Sequence, residues 1–364
     1  MEPVIKFQVS FSKVAPVKSV CFITKLDEKD FDDDEASSDE EMISRSQQLL
    51  PAKSKALQEL SNYYLATCHT NGEAFLWDLS SQRIIHKFDN TSPGLAMARV
   101  QKNRLAYQTR DGLVAIYDVS SRNVVHRLQT GSLSFCAMAV SRSDDSILVI
   151  PESDRSYCRI LDLNHASVDD ANSAHEVILH ASGGDKKHGM LMSLAICDSI
   201  VACGMEDGTL FFHEWCNASK SHCFVKLSSE FILGLDLAAS LGGSMVAIVG
   251  MAGNAEDLED RPENEKGTVA VVKCLTNPLR AHLRSRIGTC SLTGGGKPGV
   301  DVSRFRPDGR LFAVGGWDKR VRLMNRKDAN PLALLKGHSN SVAALDWATN
   351  SLLATGDKDG VINI

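Results

Sequence analysis

The sequence predicts an all-β fold, a single seven-bladed β-propeller that spans residues 1–364. Three observations support this prediction. One turn-and-strand unit recurs seven times, helical periodicity is nearly absent, and the two ends of the chain supply complementary parts of one sheet. With 43% hydrophobic and 23% charged residues, the chain also has the composition of a globular protein with a sizeable core.

The recurring unit is a tight turn followed by an alternating apolar strand that often ends in an aromatic residue and an acid. The first copy, NGEAFLWDL from Asn71, ends in Trp77 and Asp78, to which we assign a structural role in the repeat. The turn positions of the seven copies are 72, 112, 156, 208, 267, 319 and 360, so the spacings run from 40 to 59 residues. WD repeats recur at about 40–45 residues with four strands per blade, and loop insertions account for longer spacings.

Each unit extends into a blade whose strands are called a to d in chain order. Before each turn lies a short run rich in β-branched or small residues, as in YYLATCHT, and another apolar run precedes it, as in VKSVCFI. Short runs joined by Asp-Gly or Asn-Gly predict hairpins. A fourth run follows in most blades, as in RIIHKF, but the pattern assigns no firm d strand to the fifth blade.

The ends of the chain complement each other. VINI at 361–364 is a third strand without a fourth, and VIKFQVS at 4–10 is a strand without a preceding partner. We expect the N-terminal strand to complete the last blade, which closes the ring and leaves no open sheet edge. The one stretch that could be helical, 44–60, is interrupted by Pro51, so we expect a loop there with at most one helical turn.

An acidic insertion at 25–58 separates strands a and b of the first blade. Residues 27–41 carry ten acidic side chains and one lysine, a net charge of −9, which leaves the rest of the chain at +4. This composition predicts disorder. Ser37 and Ser38 each have an acid three residues later, so both are candidate phosphorylation sites. The insertion is interpreted either as a docking tail for a basic partner or as a solvated loop that aids solubility.

Sequence patterns for catalysis and for cofactor binding are largely missing. GGGKPG at 294–299 resembles a phosphate loop in composition only, because proline follows its lysine where a hydroxyl residue is needed. Four potential zinc ligands lie close in sequence without a paired C-x-x-C, so we expect no metal site: His213, Cys216, His222 and Cys223. The sequence therefore predicts no cofactor and no enzyme, and a propeller hydrolase with distant catalytic residues is the alternative of another class.

The sequence also predicts where in the cell the protein acts and which classes of partner it does not bind. No run of about 18 apolar residues and no secretory signal occurs, so we expect no membrane association. Ten single cysteines without a signal predict a reducing compartment, and we expect the protein in the nucleus and cytoplasm. The two basic clusters lack interleaved aromatic residues, so direct nucleic-acid binding is not expected: Arg280, Arg284 and Arg286, and Lys319, Arg320 and Arg322.

The last two repeats carry recognisable repeat chemistry. Gly337-His338, Thr355 and Asp359 are similar to the Gly-His, hydroxyl and turn aspartate of a WD repeat, in which a His–Asp hydrogen bond pins the loop before strand a to the b–c turn. Trp317-Asp318-Lys319-Arg320 resembles the W-D-x-R box of propellers that present substrates to cullin ligases. Here it precedes strand c instead of ending it, so the match is out of register. A ubiquitin-ligase substrate receptor is the alternative among binding proteins.

The stretch 297–364 resembles the end of the guanine nucleotide-binding protein β-subunit-like protein 1 family, whose fungal members are called ASTRA-associated protein 1. The similar pieces are Pro298-Gly299, Arg306-Pro307-Asp308, Gly316-Trp317-Asp318 and Arg320-Val321-Arg322, together with the turn Gly204-x-Glu206-Asp207-Gly208. The resemblance implies a non-catalytic adaptor linked to the ASTRA assembly, which is associated with chromatin remodelling. It also implies a link to the co-chaperone complex that helps phosphatidylinositol-3-kinase-related kinases to mature.

These considerations lead to one functional prediction. We expect a protein-interaction scaffold that presents rigid loops on a closed ring. The b–c turn residues Trp317, Lys319, Arg320 and Arg322 are the candidate partner-binding residues, and their alternative role is turn packing and solvation. No heptad helix precedes the first blade, so we expect no G-protein γ subunit as a partner.

Overall fold

The computed structural model describes residues 8–9, 15–25, 58–88, 92–101, 103–164, 176–184, 186–216, 221–240, 242–253, 268–287 and 299–364. Their strands form seven antiparallel sheets of four strands each, and the sheets are the blades of a β-propeller. The predicted fold and blade number are thus confirmed. No helix in these ranges is both long enough and apolar enough to cross a membrane.

Six blades are meanders in which each strand pairs with the next along the chain. The first strand of the chain, β1 (Gln8–Val9), lies outside them. Blade 1 contains β2 (Val17–Thr24), β3 (Tyr63–His69), β4 (Ala74–Asp78) and β5 (Arg83–Phe88). Blade 2 contains β6 (Gly94–Val100), β7 (Arg104–Thr109), β8 (Leu113–Asp118) and β9 (Val124–Gln129). Blade 3 contains β10 (Ala139–Val140), β11 (Ile147–Pro151), β12 (Tyr157–Asp162) and β13 (Glu176–His180).

The next three blades repeat this order. Blade 4 contains β14 (Leu191–Cys197), β15 (Ile200–Met205), β16 (Thr209–Glu214) and β17 (His222–Lys226). Blade 5 contains β18 (Ile232–Ser240), β19 (Ser244–Met251), β20 (Val269–Thr276) and β21 (Leu279–Ile287). Blade 6 contains β22 (Val300–Phe305), β23 (Leu311–Gly316), β24 (Val321–Asn325) and β25 (Pro331–Leu335). Strand β21 supplies the fourth strand that the sequence pattern left unassigned in the fifth blade.

The seventh blade closes the ring. It contains β26 (Val342–Trp347), β27 (Leu353–Asp357), β28 (Ile362–Asn363) and, as its outer strand, β1. Strand β1 pairs antiparallel with β28, with Gln8 opposite Asn363 and Val9 opposite Ile362. This confirms the predicted closure, in which the chain's first strand covers the free edge of the last sheet.

Two short helical segments accompany the strands. Residues 58–61 form one helical turn, at the end of the stretch for which a loop was expected, and Lys186–His188 form a 3-10 turn. The rest of the acidic insertion, including Ser37 and Ser38, lies outside the described residues, as does 288–298. The chain segments on either side of the insertion are hydrogen-bonded to each other, since the Lys25 backbone N–H donates to the Asn62 carbonyl over 2.9 Å.

The hydrophobic core lies within and between the blades. Strands b of blades 4 and 5 are buried over their whole length, whereas the outer d strands alternate between exposed and partly buried positions. One apolar cluster joins blades 4 and 5, and another joins blades 3 and 4. Seven cysteines are buried in strands or beside them, as expected for small apolar side chains: Cys21, Cys68, Cys136, Cys158, Cys197, Cys203 and Cys274.

Polar side chains of the inner strands connect successive blades. Ser19 of blade 1 bonds both the carbonyl and the N–H of Met97 in blade 2. The Asp236 carboxylate of blade 5 accepts from the N–H of Phe305 in blade 6 over 2.7 Å. These bonds satisfy backbone groups of strands that have no sheet partner on the axis side, and they fix the angle between neighbouring sheets.

Candidate protein-binding face

The meander gives the ring two distinct faces. The d–a connections and the b–c turns lie together on one face, which we call the upper face, and the a–b and c–d turns lie on the lower face. Loops held by a rigid sheet scaffold carry the binding function in most proteins of this kind of architecture. Of the predicted partner-binding residues, Trp317, Lys319 and Arg320 lie in the b–c turn of blade 6 and so on the upper face, and Arg322 lies at the start of strand β24.

Trp317 is a fixed, half-buried platform on this face. Its indole N–H donates to the Asp301 carboxylate over 2.6 Å, and its ring packs against Gly299, where a Cβ would lie 2.4 Å from the indole Cδ2. The Lys358 ammonium lies 2.7 Å from the second Asp301 oxygen and 5.9 Å from the indole centroid. Three elements from blades 6 and 7 thus hold the indole in one orientation.

The predicted contact residue Arg322 is not available to a partner. Its side chain is 1% exposed, and its guanidinium binds the equally buried Asp318 carboxylate over 3.0 and 2.5 Å. Strand β24 turns this side chain inward, where the ion pair braces the b–c turn, so the prediction for Arg322 was wrong. Lys319 is exposed at φ +69° and Arg320 is half-buried, so these two side chains and Trp317 form the accessible part of the turn.

The upper face also carries apolar side chains that the sequence did not reveal. Leu133 and Phe135, in the connection between blades 2 and 3, are 64% and 56% exposed, and the Arg110 guanidinium lies 4.3 Å from the Phe135 ring centroid. Phe231, in the connection between blades 4 and 5, is 42% exposed. In the sequence GSLSFCAM, alternation was the one available signal. Such alternation is typical of a half-buried strand, and here Ser132, Ser134 and Cys136 are buried while Leu133 and Phe135 face solvent.

Three cationic side chains of neighbouring blades lie near one another on the upper face, namely Lys358 of blade 7, Lys18 of blade 1 and Arg110 of blade 2. Burial lowers the pKa of Lys18, Asp301 opposes this effect, and Lys358 and Arg110 reinforce it. Lys18 and Arg110 have no carboxylate bound among the described residues, and Asp301 is shared by Trp317 and Lys358. A cationic rim beside exposed Leu133 and Phe135 is complementary to a protein segment that combines apolar and acidic side chains.

The repeat chemistry of the last blade is structural, with one correction. His338 lies 3.1 Å from the Asp357 carboxylate and 2.7 Å from the Thr355 hydroxyl. The partner of the histidine is therefore Asp357 and not Asp359, which instead accepts from Ser339 and Asn340. The reason is geometric, because Asp357 ends strand β27 and points under the turn, while Asp359 lies at its tip.

The first blade shows a variant of the same arrangement. The Trp77 indole N–H donates to the Thr67 hydroxyl over 3.2 Å, which ties strand c to strand b. Although burial opposes ionisation, hydrogen bonds from Lys25, Ser80 and Ser81 hold the pKa of Asp78 below its usual range. Both residues therefore contact only their own blade or its adjoining turns through these bonds, as expected for repeat residues.

The histidine and cysteine side chains of blade 4 lie in different surroundings. Burial lowers the pKa of His213 to about 4, and its Nε2 lies 2.8 Å from the Ala181 carbonyl. The His222 ring stacks on that of His213 at 5.6 Å, while Cys216 is exposed. Across the described ranges, no group of three or more His, Cys, Asp or Glu side chains has an arrangement that could hold a metal ion.

Comparison with known proteins agrees with the repeat assignment. The family "WD domain, G-beta repeat" matches residues 279–325 and 329–364. Guanine nucleotide-binding protein subunit beta-like protein 1 of Mus musculus is 25% identical over 321 residues, covering 84% of this chain and 88% of the mouse protein. ASTRA-associated protein 1 of Verticillium alfalfae is 24% identical over 327 residues, covering 79% of this chain and 74% of the fungal protein. ASTRA-associated protein 1 of Pyricularia oryzae is 40% identical over 62 residues, or 16% and 13% of the two chains. The resemblance seen in the last third of the sequence thus extends over most of the chain.

Proposed function

Because the chain is a seven-bladed WD40-repeat propeller, similar over most of its length to β-subunit-like protein 1 and ASTRA-associated protein 1, we propose that it is a non-catalytic scaffold. It serves the ASTRA-type assembly associated with chromatin remodelling and the maturation of phosphatidylinositol-3-kinase-related kinases, in the nucleus and the cytoplasm. Its partners are proteins, namely subunits of that assembly and co-chaperones of those kinases.

One observation carries this proposal to particular residues. Leu133 and Phe135 are large apolar side chains more than half exposed on the connection between blades 2 and 3, beside the cationic rim of the upper face. Exposure of apolar surface is unfavourable in water, and an aromatic next to an arginine is the composition that dominates binding energy in protein interfaces. A partner that covers Phe135 and Arg110 would remove this apolar area from water and place acidic groups near Lys18 and Lys358.

The experiment is quantitative affinity purification with two matched variants. Phe135→Ala removes a phenyl ring that is 56% exposed on the upper face, and Phe224→Ala removes one that is 57% exposed on the outer strand of blade 4. We expect Phe135→Ala to reduce recovery of ASTRA and kinase co-chaperone subunits at least fivefold and Phe224→Ala to leave it unchanged. Both variants are checked for an unchanged melting temperature.

Two outcomes would count against the proposal. Failure of the unaltered protein to recover such subunits, or recovery of a cullin adaptor in their place, would remove the assembly assignment. Recovery by Phe135→Ala equal to that of the unaltered protein would remove this part of the upper face as the binding surface.

A further inference from the structure

The lower face holds a cluster of arginines from three blades. Arg142, in the a–b turn of blade 3, reaches across the end of the channel to blades 5 and 6. Its guanidinium binds the Asp236 carboxylate over 2.8 Å and donates to the carbonyls of Phe305 and Arg306 over 3.2 and 3.1 Å. A single side chain of blade 3 therefore contacts two blades that are not its neighbours in the ring.

Arg326, in the c–d turn of blade 6, approaches the same place from the other side. Its guanidinium donates to the carbonyls of Ala239 and Gly309 over 2.9 and 3.1 Å. The central guanidinium carbons of Arg326 and Arg142 lie 5.6 and 5.8 Å from the centroid of the Phe305 ring. Two cations thus share one buried aromatic ring, which places their charges in the same small region.

The charge of this cluster is not balanced within the described residues. Asp236 binds Arg142, and Asp308 binds the guanidinium of Arg306 over 3.0 and 2.6 Å. Arg326 and the exposed Arg284 of strand β21 make no ion pair there. Burial, followed by the positive charges of Arg284 and Arg142, lowers the pKa of Arg326. Like charges held together in a folded protein cost free energy, and a bound anion would offset that cost.

The cluster also keeps unused hydrogen-bond donors. A guanidinium has five N–H donors. Arg326 uses two of them on carbonyls, and Arg142 uses three on its carboxylate and carbonyl partners, so three donors of Arg326 and two of Arg142 have no partner among the described residues. Arginine forks fit oxyanions such as carboxylate and phosphate, which accept two parallel N–H bonds. Phe305 is only 1% exposed, so no aromatic face is available here for stacking of nucleic-acid bases.

We propose that the lower-face arginine cluster, formed by Arg142 and Arg326 with the nearby Arg284, binds an acidic segment of a partner protein through its carboxylate or phosphoserine oxyanions. This inference deepens the proposed scaffold function and rests on it. It adds a second surface of defined chemistry on the face opposite Phe135, so that two partners can bind the same ring at once.

The test is fluorescence anisotropy with three labelled twelve-residue peptides of matched length. One is rich in glutamate, one carries two phosphoserines in the same context, and one has glutamine in place of every acid. The unaltered protein is expected to bind both acidic peptides, with an affinity that falls as salt is raised, and not to bind the glutamine peptide. Tighter binding of the phosphoserine peptide would identify phosphate as the preferred oxyanion, and equal binding would identify carboxylate.

Two substitutions separate the cluster from general surface charge. Arg284→Glu and Arg127→Glu change exposed arginines on the outer strands of blades 5 and 2 by the same charge. We expect Arg284→Glu to weaken peptide binding at least tenfold and Arg127→Glu less than twofold. Arg326→Gln should weaken peptide binding further. Arg284→Glu keeps the test valid if Arg326→Gln does not fold, because Arg284 makes no hydrogen bond or ion pair with the described part of the chain.

The results can also overturn the proposal. Absence of peptide binding by the unaltered protein, or equal weakening by Arg284→Glu and Arg127→Glu, would refute it. Binding that is seen only after deletion of residues 27–41 would identify that acidic run as the occupant and refute the partner assignment. If the protein recovers its cellular partners but binds no acidic peptide, this inference alone fails, whereas peptide binding without recovery of those partners removes the assembly assignment only.

Discussion

The carboxylate of Asp346 in the last blade accepts a 2.8 Å hydrogen bond from the backbone N–H of Phe22 in the first blade. Two blades earlier, Asp236 makes the equivalent bond to Phe305 over 2.7 Å. The two aspartates differ in one respect, because Asp236 also binds the Arg142 guanidinium, whereas Asp346 makes no ion pair among the described residues. The same backbone contact is thus made in two electrostatic settings.

This difference predicts a pH dependence of stability. Burial raises the pKa of Asp346 to about 6, although the Phe22 N–H and the nearby Arg304 and Arg99 favour ionisation. A group whose pKa is higher in the folded state stabilises the fold at pH below its unfolded value, near 4, and this contribution is lost as the pH rises through about 6. Asp346→Asn removes the titration and keeps an oxygen acceptor for Phe22.

We therefore expect Asp346→Asn to gain stability relative to the unaltered protein between pH 5 and pH 8, by about 1–3 kcal/mol. Urea unfolding midpoints at several pH values measure this. Asp236→Asn is the control, since it breaks the ion pair with Arg142 and should destabilise the fold across the same range. A constant difference between Asp346→Asn and the unaltered protein would contradict the assigned titration.

The hydrogen bonds around His338 predict unequal roles for two neighbouring aspartates. Asp357 is fully buried and binds His338 as well as the N–H groups of Asp359 and Val361, so its loss leaves several buried polar groups unsatisfied. Asp357→Ala should lower the unfolding free energy by about 2–4 kcal/mol, whereas Asp359→Ala should cost less than about 1 kcal/mol. Chemical unfolding of both variants provides the comparison, and equal losses would restore Asp359 as the repeat aspartate.

The buried ion pair of blade 6 predicts a separation of stability from binding. Asp318→Asn leaves the Arg322 guanidinium buried without its carboxylate and should cost about 3–5 kcal/mol. Arg320→Glu changes an accessible side chain of the same turn and should alter stability by no more than about 0.5 kcal/mol. We expect Arg320→Glu to weaken co-purification of kinase co-chaperone subunits at an unchanged melting temperature, and normal recovery would exclude Arg320 from the contact.

Gly299 predicts how tightly the Trp317 platform is held. Its φ of +136° is accessible to few residues other than glycine, and an added Cβ would overlap the indole at 2.4 Å from Cδ2. Gly299→Ala should displace the indole, shift tryptophan emission and cost about 2–3 kcal/mol. Gly243→Ala is the control, because φ is +68° there but the nearest atom is 3.6 Å away, so only the smaller backbone cost is expected and the emission should not change.

The fold could be predicted from the sequence because its repeat places special turn chemistry at regular intervals. At Gly112, φ is +85° and a Cβ would lie 2.6 Å from the Ser132 backbone nitrogen, so the turn requires glycine. Such a glycine can be recognised in the sequence. Strand β21 escaped assignment because Leu279, Ala281 and Leu283 alternate with polar and basic residues, and the strand faces solvent on the outer edge. An outer strand need not be apolar, so its signal is weak.

The candidate site was harder to predict from the sequence than the fold was. The sequence at 319–322 shows three basic residues. It does not show that the Arg322 side chain turns inward to Asp318 whereas that of Arg320 does not. Leu133 and Phe135 have the alternation of a buried strand, and only the position of their backbone shows that they point outward. Arg142 and Arg326 lie far apart in the chain, and the closed ring alone brings both to Phe305.

The pairing of β1 with β28 sets an order of events during synthesis. Gln8 and Val9 leave the ribosome more than three hundred and fifty residues before their partners Ile362 and Asn363 are added. At about 5–20 residues per second, the wait is roughly 20–70 s. During that time six sheets can form while the seventh lacks its outer strand. Strand β1 must meanwhile remain unpaired. Strand β1 and the free edge of β28 are therefore the parts of the ring most exposed to mispairing and to capture by chaperones until they pair with each other.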